Sequence, residues 1–79
     1  MKKQILSYTV IFQHEPEGGY TVTVPNLPGL VSYGKNLDEA KLMAKEAIEV
    51  YIHDMDEEEI AESIVFEQPL VTTLEVLHG

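Results

Sequence analysis

Apolar and polar residues alternate in three short runs near the start of the chain, and this period of two is typical of β-strands with one buried face. The first run covers residues 5–12, and the turn residues 16–19 separate it from a second run at residues 20–24. These two runs predict a β-hairpin. A third run at residues 30–33 follows a turn at residues 25–29. The strongly apolar row of the first run consists of Leu6, Tyr8, Val10 and Phe12.

A helix is predicted after the third run. Asn36 followed three residues later by Glu39 resembles a capping box, the pair of side-chain hydrogen bonds that starts many helices. Apolar residues then recur at spacings of three and four, the period of an amphipathic helix. They are Ala40, Met43, Ala44, Ala47, Ile48, Tyr51 and Ile52. Residues 70–77 alternate again and predict a final strand, with Leu70, Thr72, Leu74 and Val76 on one face.

The order βββαβ predicts an α+β fold in a single domain over residues 1–79. A right-handed crossover through the helix places the last strand parallel to the first, so we expect a four-stranded, mostly antiparallel sheet with one main helix on one face. The other face is then uncovered, and its apolar row would be Ile5, Ile11, Val71 and Leu77. Because a chain of 79 residues without cysteine has a thin core and no disulfides, we expect a homo-oligomer.

Negative charge is concentrated in the C-terminal part of the chain. The sequence has 5 lysines and 14 acidic residues, a formal net charge of −9, and residues 51–79 contain no lysine or arginine. Such a surface repels a phosphate backbone, which argues against direct nucleic-acid binding and favours a basic protein partner. Within the acid-rich stretch 54–62, the candidate partner-binding residues are Asp56, Glu57, Glu58 and Glu59. The alternative is a solvated helical face or a connection between elements.

Several classes of protein are excluded by what the sequence lacks. The N-terminal residues contain no apolar stretch long enough for a signal peptide or a membrane span, so we expect a cytoplasmic protein without membrane association. His14, His53 and His78 are scattered, with none of the short spacings typical of a zinc site. No serine lies in the sequence context of a catalytic nucleophile. We therefore predict no metal, no cofactor and no enzymatic activity.

A combination of motifs extends over roughly residues 5–52. It comprises Gly19-Tyr20-Thr21-Val22-Thr23-Val24-Pro25-Asn26-Leu27-Pro28-Gly29, the later Gly34, and a helix with Asp38-Glu39-Ala40 and Glu46-Ala47-Ile48. This combination resembles the HicB-like antitoxin family. The resemblance implies a partial, degenerate ribonuclease-H-like fold. It also implies an antitoxin of a type II toxin-antitoxin system, which binds and neutralises a small basic HicA-like toxin that cleaves messenger RNA.

The resemblance also raises the questions of catalysis and of DNA binding. Two-metal hydrolysis by a ribonuclease-H-like site needs several converging carboxylates. Here Glu46 and Glu49 fall on the polar side of the helix and Glu75 stands alone, so we expect no nuclease activity. Many family members continue into a C-terminal DNA-binding domain. We do not expect one here, because the sequence stops at Gly79.

Tyr20 and Leu27 are two further candidates for partner contact. Leu27 lies between Pro25 and Pro28 at the tip of a turn, where an exposed apolar side chain would suit recognition. Packing in the protein's own core is the alternative for both residues. A second function also stays open at this point: a small oligomeric structural or regulatory protein of the same fold that has no toxin partner.

Overall fold

The computed structural model describes residues 5–64 and 70–79, and it combines a small sheet with two helices. Three antiparallel strands lie in the order β1-β2-β3. The first helix packs across β3 and β2 and covers one face of the sheet. The elements are β1 Ile11–His14, β2 Tyr20–Thr23, β3 Val31–Gly34, α1 Leu37–His53 and α2 Glu57–Ser63. The α+β class and the predicted order of three strands followed by a helix are therefore confirmed.

The hairpin of β1 and β2 forms as predicted, but its first strand is shorter than the pattern. The backbone N–H of Glu15 donates to the carbonyl of Gly19 at 3.0 Å and closes the turn. Gly19 has a φ of 82°, in the left-handed region that glycine adopts without strain. Ile11 lies opposite Thr23, the last residue of β2, so residues 5–10 extend past the strand that would have paired with them.

The start of α1 has half of the predicted capping box. Asn36 Oδ1 accepts from the backbone N–H of Glu39 at 2.8 Å. The Glu39 carboxylate accepts from the backbone N–H of Lys35 at 3.1 Å, one residue before the cap. Ala40 and Ala44 are the buried residues of the helix, and side chains this small let the helix approach the sheet closely.

Gly34 explains why the helix and the sheet approach so closely at one point. It is buried at the end of β3, and a Cβ atom at this position would overlap the backbone of Ala40 in the first turn of α1. Any side chain at position 34 would push that turn away from the sheet. The glycine that the sequence motif contains is therefore a packing requirement of this fold.

The core corrects the expectation for Leu27. Val24, Leu27 and Leu30 form one of two buried clusters, and the other joins Val22 to the alanines of α1. Only 1% of the Leu27 side chain is exposed, because the turn folds back and the Leu30 N–H donates to the Leu27 carbonyl at 3.1 Å. An exposed apolar anchor at Leu27 is therefore wrong, and its alternative, anchoring of the turn on the protein's own core, is what the structure contains.

The fourth strand of the expected sheet is not confirmed. Residues 70–79 have no regular secondary structure and all of them are exposed. An extended segment becomes a strand only when its backbone pairs with a neighbour, and these residues lie against no strand in the described part of the chain. The observed sheet therefore has three strands, and a ribonuclease-H-like completion of it is not established. Ile5 and Ile11 are exposed, as predicted for the uncovered face.

Candidate partner-binding surface

The acid-rich stretch forms a short helix because its own side chains cap it. Asp56 is the N-cap of α2, and its carboxylate accepts from the backbone N–H of Glu59 at 2.8 Å. The Glu59 carboxylate in turn accepts from the backbone N–H of Asp56 at 3.2 Å, which completes a capping box. Glu57 and Glu58 occupy the first turn, where negative charge stabilises the positive end of the helix dipole. The acid-rich stretch, for which a solvated helical face or a connection is one interpretation of the sequence, therefore forms a separate short helix.

A buried serine at the end of α2 fixes the helix on the body of the domain. The Ser63 hydroxyl donates to the carbonyl of Ile60 at 2.7 Å, which uses its single proton. The Tyr8 hydroxyl, 2.6 Å away, must therefore donate to Ser63 Oγ. The Asn26 side chain donates to the Ser63 carbonyl at 3.0 Å. These contacts join α2 to the first strand run and to the turn after β2, and they hold its acidic side toward solvent.

The exposed carboxylates of residues 54–62 lie close together in sequence, and we call them the acidic surface. The described residues contain one ion pair, between His53 and Asp54 at 3.3 Å, and both of its side chains are exposed, so it stabilises the fold little. Within the same ranges, Glu57 and Glu58 make no side-chain hydrogen bond. The acidic surface consists of Asp54, Asp56, Glu57, Glu58, Glu59 and Glu62. No lysine lies within this stretch to neutralise it.

A shallow pocket of about 350 Å³ adjoins the acidic surface. Apolar parts of Pro28, Tyr51 and Met55 line it, and Glu59 and Glu62 lie at its rim. The Tyr51 hydroxyl donates to the Pro28 carbonyl at 2.7 Å, which holds the ring across the turn. Apolar contact area and negative charge therefore meet in one place, as they do in surfaces that bind proteins.

A second and larger depression, which we call the apolar groove, runs between the first strand run and α1. Its volume is about 500 Å³. Lys41, Lys45 and Glu49 lie along its helical side. Its apolar lining consists of Leu6, Tyr8, Val10, Phe12, Ala44, Ile48 and Ile52. The apolar row predicted for the first strand thus faces α1, but it fills only part of the space beneath the helix.

The structure brings together some of the predicted site residues and not others. Asp56 to Glu59 lie together on α2, and Leu27 lies beneath the pocket next to them, although its side chain is buried. Tyr20 is half-buried at the hairpin end of β2, where its ring is 5.0 Å from that of His14 and packs against the Val22 cluster. Tyr20 therefore packs against the core, and a role for it in partner contact stays a prediction.

The pocket residues Tyr51 and Met55 were not predicted from the sequence. Tyr51 falls in the apolar stripe of α1, which the pattern assigns to the core, yet the turn after β2 rather than the sheet receives its hydroxyl. Met55 stands between two acids and belongs to no periodic row. A signal did exist for α2, because Asp56 followed by Glu59 has the same spacing as Asn36 followed by Glu39.

Two kinds of feature are absent from the part of the chain that the structure describes. In residues 5–64 and 70–79, no group of three or more His, Asp or Glu side chains is placed to hold a metal ion. Among the helices of these same ranges, none has the length and apolar character needed to cross a bilayer. The features that remain are the acidic surface, its pocket and the apolar groove.

The model of one protein family, the HicB-like antitoxin of bacterial toxin-antitoxin systems, matches residues 8–73. The chain belongs to the HicB-like antitoxin family. The match begins at Tyr8 and includes both helices, so the contact between Tyr8 and Ser63 and the whole acidic surface fall within the HicB-like domain. An antitoxin role in general, with a toxin as partner, follows from this membership.

Several relatives share the HicB-like domain. A UPF0150 protein of Thermoplasma acidophilum is 44% identical over 50 residues, which are 63% of this chain and 72% of that protein. A UPF0150 protein of Synechocystis is 43% identical over 53 residues, 67% of each chain. A 14.9 kDa protein from the rep-hol intergenic region of Haemophilus phage HP1 is 50% identical over 52 residues, but these are only 39% of its length. No solved structure matches the chain.

Proposed function

We propose that this HicB-like protein is a cytoplasmic antitoxin that binds and neutralises a small basic HicA-like toxin, a ribonuclease that cleaves messenger RNA. The observation that carries the proposal is the acidic surface, held outward on α2 by the capping box and by Ser63. A toxin that binds RNA must present positive charge to phosphates. The carboxylates of α2 offer it a protein surface of the same sign as its substrate.

Electrostatic attraction accounts for the encounter of the two proteins. Exposed charges of opposite sign raise association rates by about 10- to 1,000-fold at low ionic strength. The effect extends over a Debye length of about 8 Å at 0.15 M salt, so the acidic surface can orient a basic partner before contact. Because Glu57 and Glu58 have no partner among the described side chains, their charge is available to the toxin.

Apolar contact at the pocket beside α2 accounts for retention of the toxin. Pro28, Tyr51 and Met55 line this pocket together with Glu59 and Glu62. A protruding basic side chain with an apolar stem, or an aromatic residue of the toxin, fits such a place. Occupation of the pocket would lay the toxin's RNA-binding face on α2 and exclude messenger RNA from it.

Neutralisation in this proposal is by occlusion and requires no reaction of the antitoxin. The acidic residues of α2 are exposed to solvent, and Asp56 and Glu59 cap the start of the helix. Two-metal hydrolysis needs carboxylates that converge on one point, and this arrangement is a different one. A small structural or regulatory protein without a toxin partner is the competing function. The two differ in whether the carboxylates of α2 affect the binding of a toxin.

The test compares two pairs of charge-removing substitutions. The first pair, Glu57→Gln with Glu58→Gln, removes charge from the acidic surface but leaves the capping box intact. The control pair, Glu17→Gln with Asp38→Asn, removes two exposed charges near the hairpin turn and the start of α1. Because α1 has 17 residues, its start lies about 25 Å from its end. A catalytically inactive variant of a HicA-like toxin serves as the partner in this test.

Association rates are measured by stopped flow from 0.05 to 1 M salt, where the Debye length falls from more than 10 Å to about 3 Å. We expect the first pair to slow association about three- to tenfold at low salt and to flatten its salt dependence, while the control pair has a smaller effect. Equal rates and salt slopes for both pairs would overturn the assignment of the acidic surface. Absence of any complex would favour the competing function.

A further inference from the structure

The C-terminal segment, residues 70–77, carries large apolar side chains that the described structure leaves in solvent. Leu74 is 82% exposed and Val76 is 89% exposed, and Leu70 belongs to the same period-2 row. Protein monomers rarely expose several large apolar side chains in one continuous patch, and such a patch marks an interaction site. The alternation shows that these residues would share one face if the segment became a strand.

A surface of matching shape and chemistry lies elsewhere on the same domain. β1 is an edge strand, so its outer backbone groups have no strand partner in the described sheet. Residues 5–10 precede β1 and pair with no strand on either side in the described structure. The apolar groove adjoins this edge, and its space under α1 is only partly filled by Leu6, Val10 and Phe12. An added strand would satisfy the backbone edge and place one apolar row in the groove.

The charges at the groove distinguish among possible occupants. Two lysines, Lys41 and Lys45, and one acid, Glu49, lie along its helical side, and this positive excess disfavours a basic protein such as the proposed toxin. Residues 70–77 contain one acid, Glu75, and no base. The chain's own C-terminal segment is therefore the occupant that the groove favours in chemistry.

The described position of the segment favours exchange between two copies. The Cα radius of gyration is 15.1 Å, whereas a compact domain of 79 residues has about 12 Å. The longest dimension is 57 Å against 27 and 19 Å for the others. The segment thus stands clear of its own groove, exposed along its whole length.

We propose that residues 70–77 of one copy add as a strand to the β1 edge of a second copy and fill its apolar groove, reciprocally, in a twofold-symmetric dimer. Each half of the dimer then has four strands, the fourth being supplied by its partner. The two exchanged segments occupy both grooves, so the assembly closes at two copies. The acidic surface lies outside the groove lining and stays open for a toxin.

The oligomeric state of the full chain without toxin is the first test. We expect a dimer by light scattering at tens of micromolar. Leu74→Glu with Val76→Glu places charge on the row that enters the groove, and it should weaken dimerisation at least about tenfold. The control, Val71→Glu with Leu77→Glu, places the same charges on the opposite face of the segment and should leave a dimer. All four side chains are exposed in the described structure, so the domain itself should fold in both variants.

A crosslinking experiment identifies which copy supplies the segment, since the chain contains no cysteine. Copies with Lys45→Cys are mixed with copies carrying Leu74→Cys and oxidised with glutathione disulfide. We expect a covalent dimer that joins positions 45 and 74. The control Glu46→Cys, on another side of α1, should crosslink much less.

The results that would overturn the proposal are distinct from a failure of toxin binding. A monomeric native chain would overturn it, and so would a dimer that Leu74→Glu with Val76→Glu leaves intact. A chain with both Lys45→Cys and Leu74→Cys that crosslinks only within itself would show that the segment fills its own groove. None of these measurements involves the toxin, so the proposed function stands or falls separately.

Discussion

Replacement of Leu27 by alanine tests whether the turn after β2 is an anchor in the core. Leu27 has the largest of the side chains that are fully buried in the described structure, at 1% exposure. It packs with Val24 and Leu30, and Ile52 and Met55 close over the same cluster. The substitution would leave a cavity beneath Ile52 and Met55 rather than remove a surface contact.

The expected loss is large relative to the stability of so small a domain. Leu→Ala substitutions at buried sites cost about 2–5 kcal/mol, with the larger values where the surroundings cannot collapse. A chain of 79 residues has a free energy of unfolding of roughly 4–12 kcal/mol, from about 0.05–0.15 kcal/mol per residue. We expect a loss of about 3 kcal/mol for Leu27→Ala, because two proline residues fix the turn and limit its relaxation.

Leu42→Ala is the matched control, since Leu42 lies on α1 and is 57% exposed. Its expected effect is within about 0.5 kcal/mol. Urea unfolding followed by circular dichroism at one fixed protein concentration gives both values. If the two variants unfolded at the same urea concentration while Leu27→Ala alone weakened toxin binding, Leu27 would be a partner contact and the description of the core would be refuted.

Three further substitutions, one of them a control, test the packing that positions α1 and α2. Gly34→Ala should cost at least about 1–3 kcal/mol in urea unfolding, because its Cβ would overlap the backbone of Ala40. The control Gly29→Ala should cost only about 1–2 kcal/mol, because its Cβ would meet no atom within 4 Å and only the φ of 86° opposes the change. A larger loss at Gly29 than at Gly34 would contradict the close approach of α1 to the sheet. Tyr8→Phe removes the donor to Ser63 Oγ and should cost about 0.5–1.5 kcal/mol. Amide exchange in α2 should quicken in this variant, and unchanged exchange would show that the contact does not hold the helix.

The faces of the elements could be predicted from the sequence, because a period of two or of three to four depends on local geometry alone. The apolar row Leu6 to Phe12 does face the helix, and α1 does begin after Asn36. The extent of β1 could not be predicted in this way. Strand boundaries depend on the partner, and the register with β2 leaves residues 5–10 without one.

The errors concern residues whose place is set by distant contacts. The sequence around Leu27 shows a turn, but only the approach of Ile52 and Met55 decides that its side chain points inward. Residues 70–77 have the alternation of a strand, yet alternation does not say which edge they join or in which copy. The start of α2 could have been predicted from the spacing of Asp56 and Glu59, whereas the charge of the four consecutive acids alone does not indicate it.

The capping box of α2 separates structural from functional acids on the acidic surface. Asp56 and Glu59 bond to each other's backbone N–H groups, so the start of the helix accounts for both. Glu57 and Glu58 have no such contact among the described residues, and a stabilising effect on the helix dipole is the structural role left to them. The functional assignment therefore depends on these two carboxylates more than on the run as a whole.

Inhibition of messenger-RNA cleavage by the purified protein is the direct test of an antitoxin role. A fixed amount of active HicA-like toxin is titrated with the purified protein, and intact messenger RNA is quantified over time. We expect cleavage to stop when each toxin molecule is matched by one molecule of this protein. At low salt, more protein should be needed when Glu57 and Glu58 are replaced by glutamine. Cleavage that continues undiminished in an excess of the native protein would show that the chain does not neutralise this toxin.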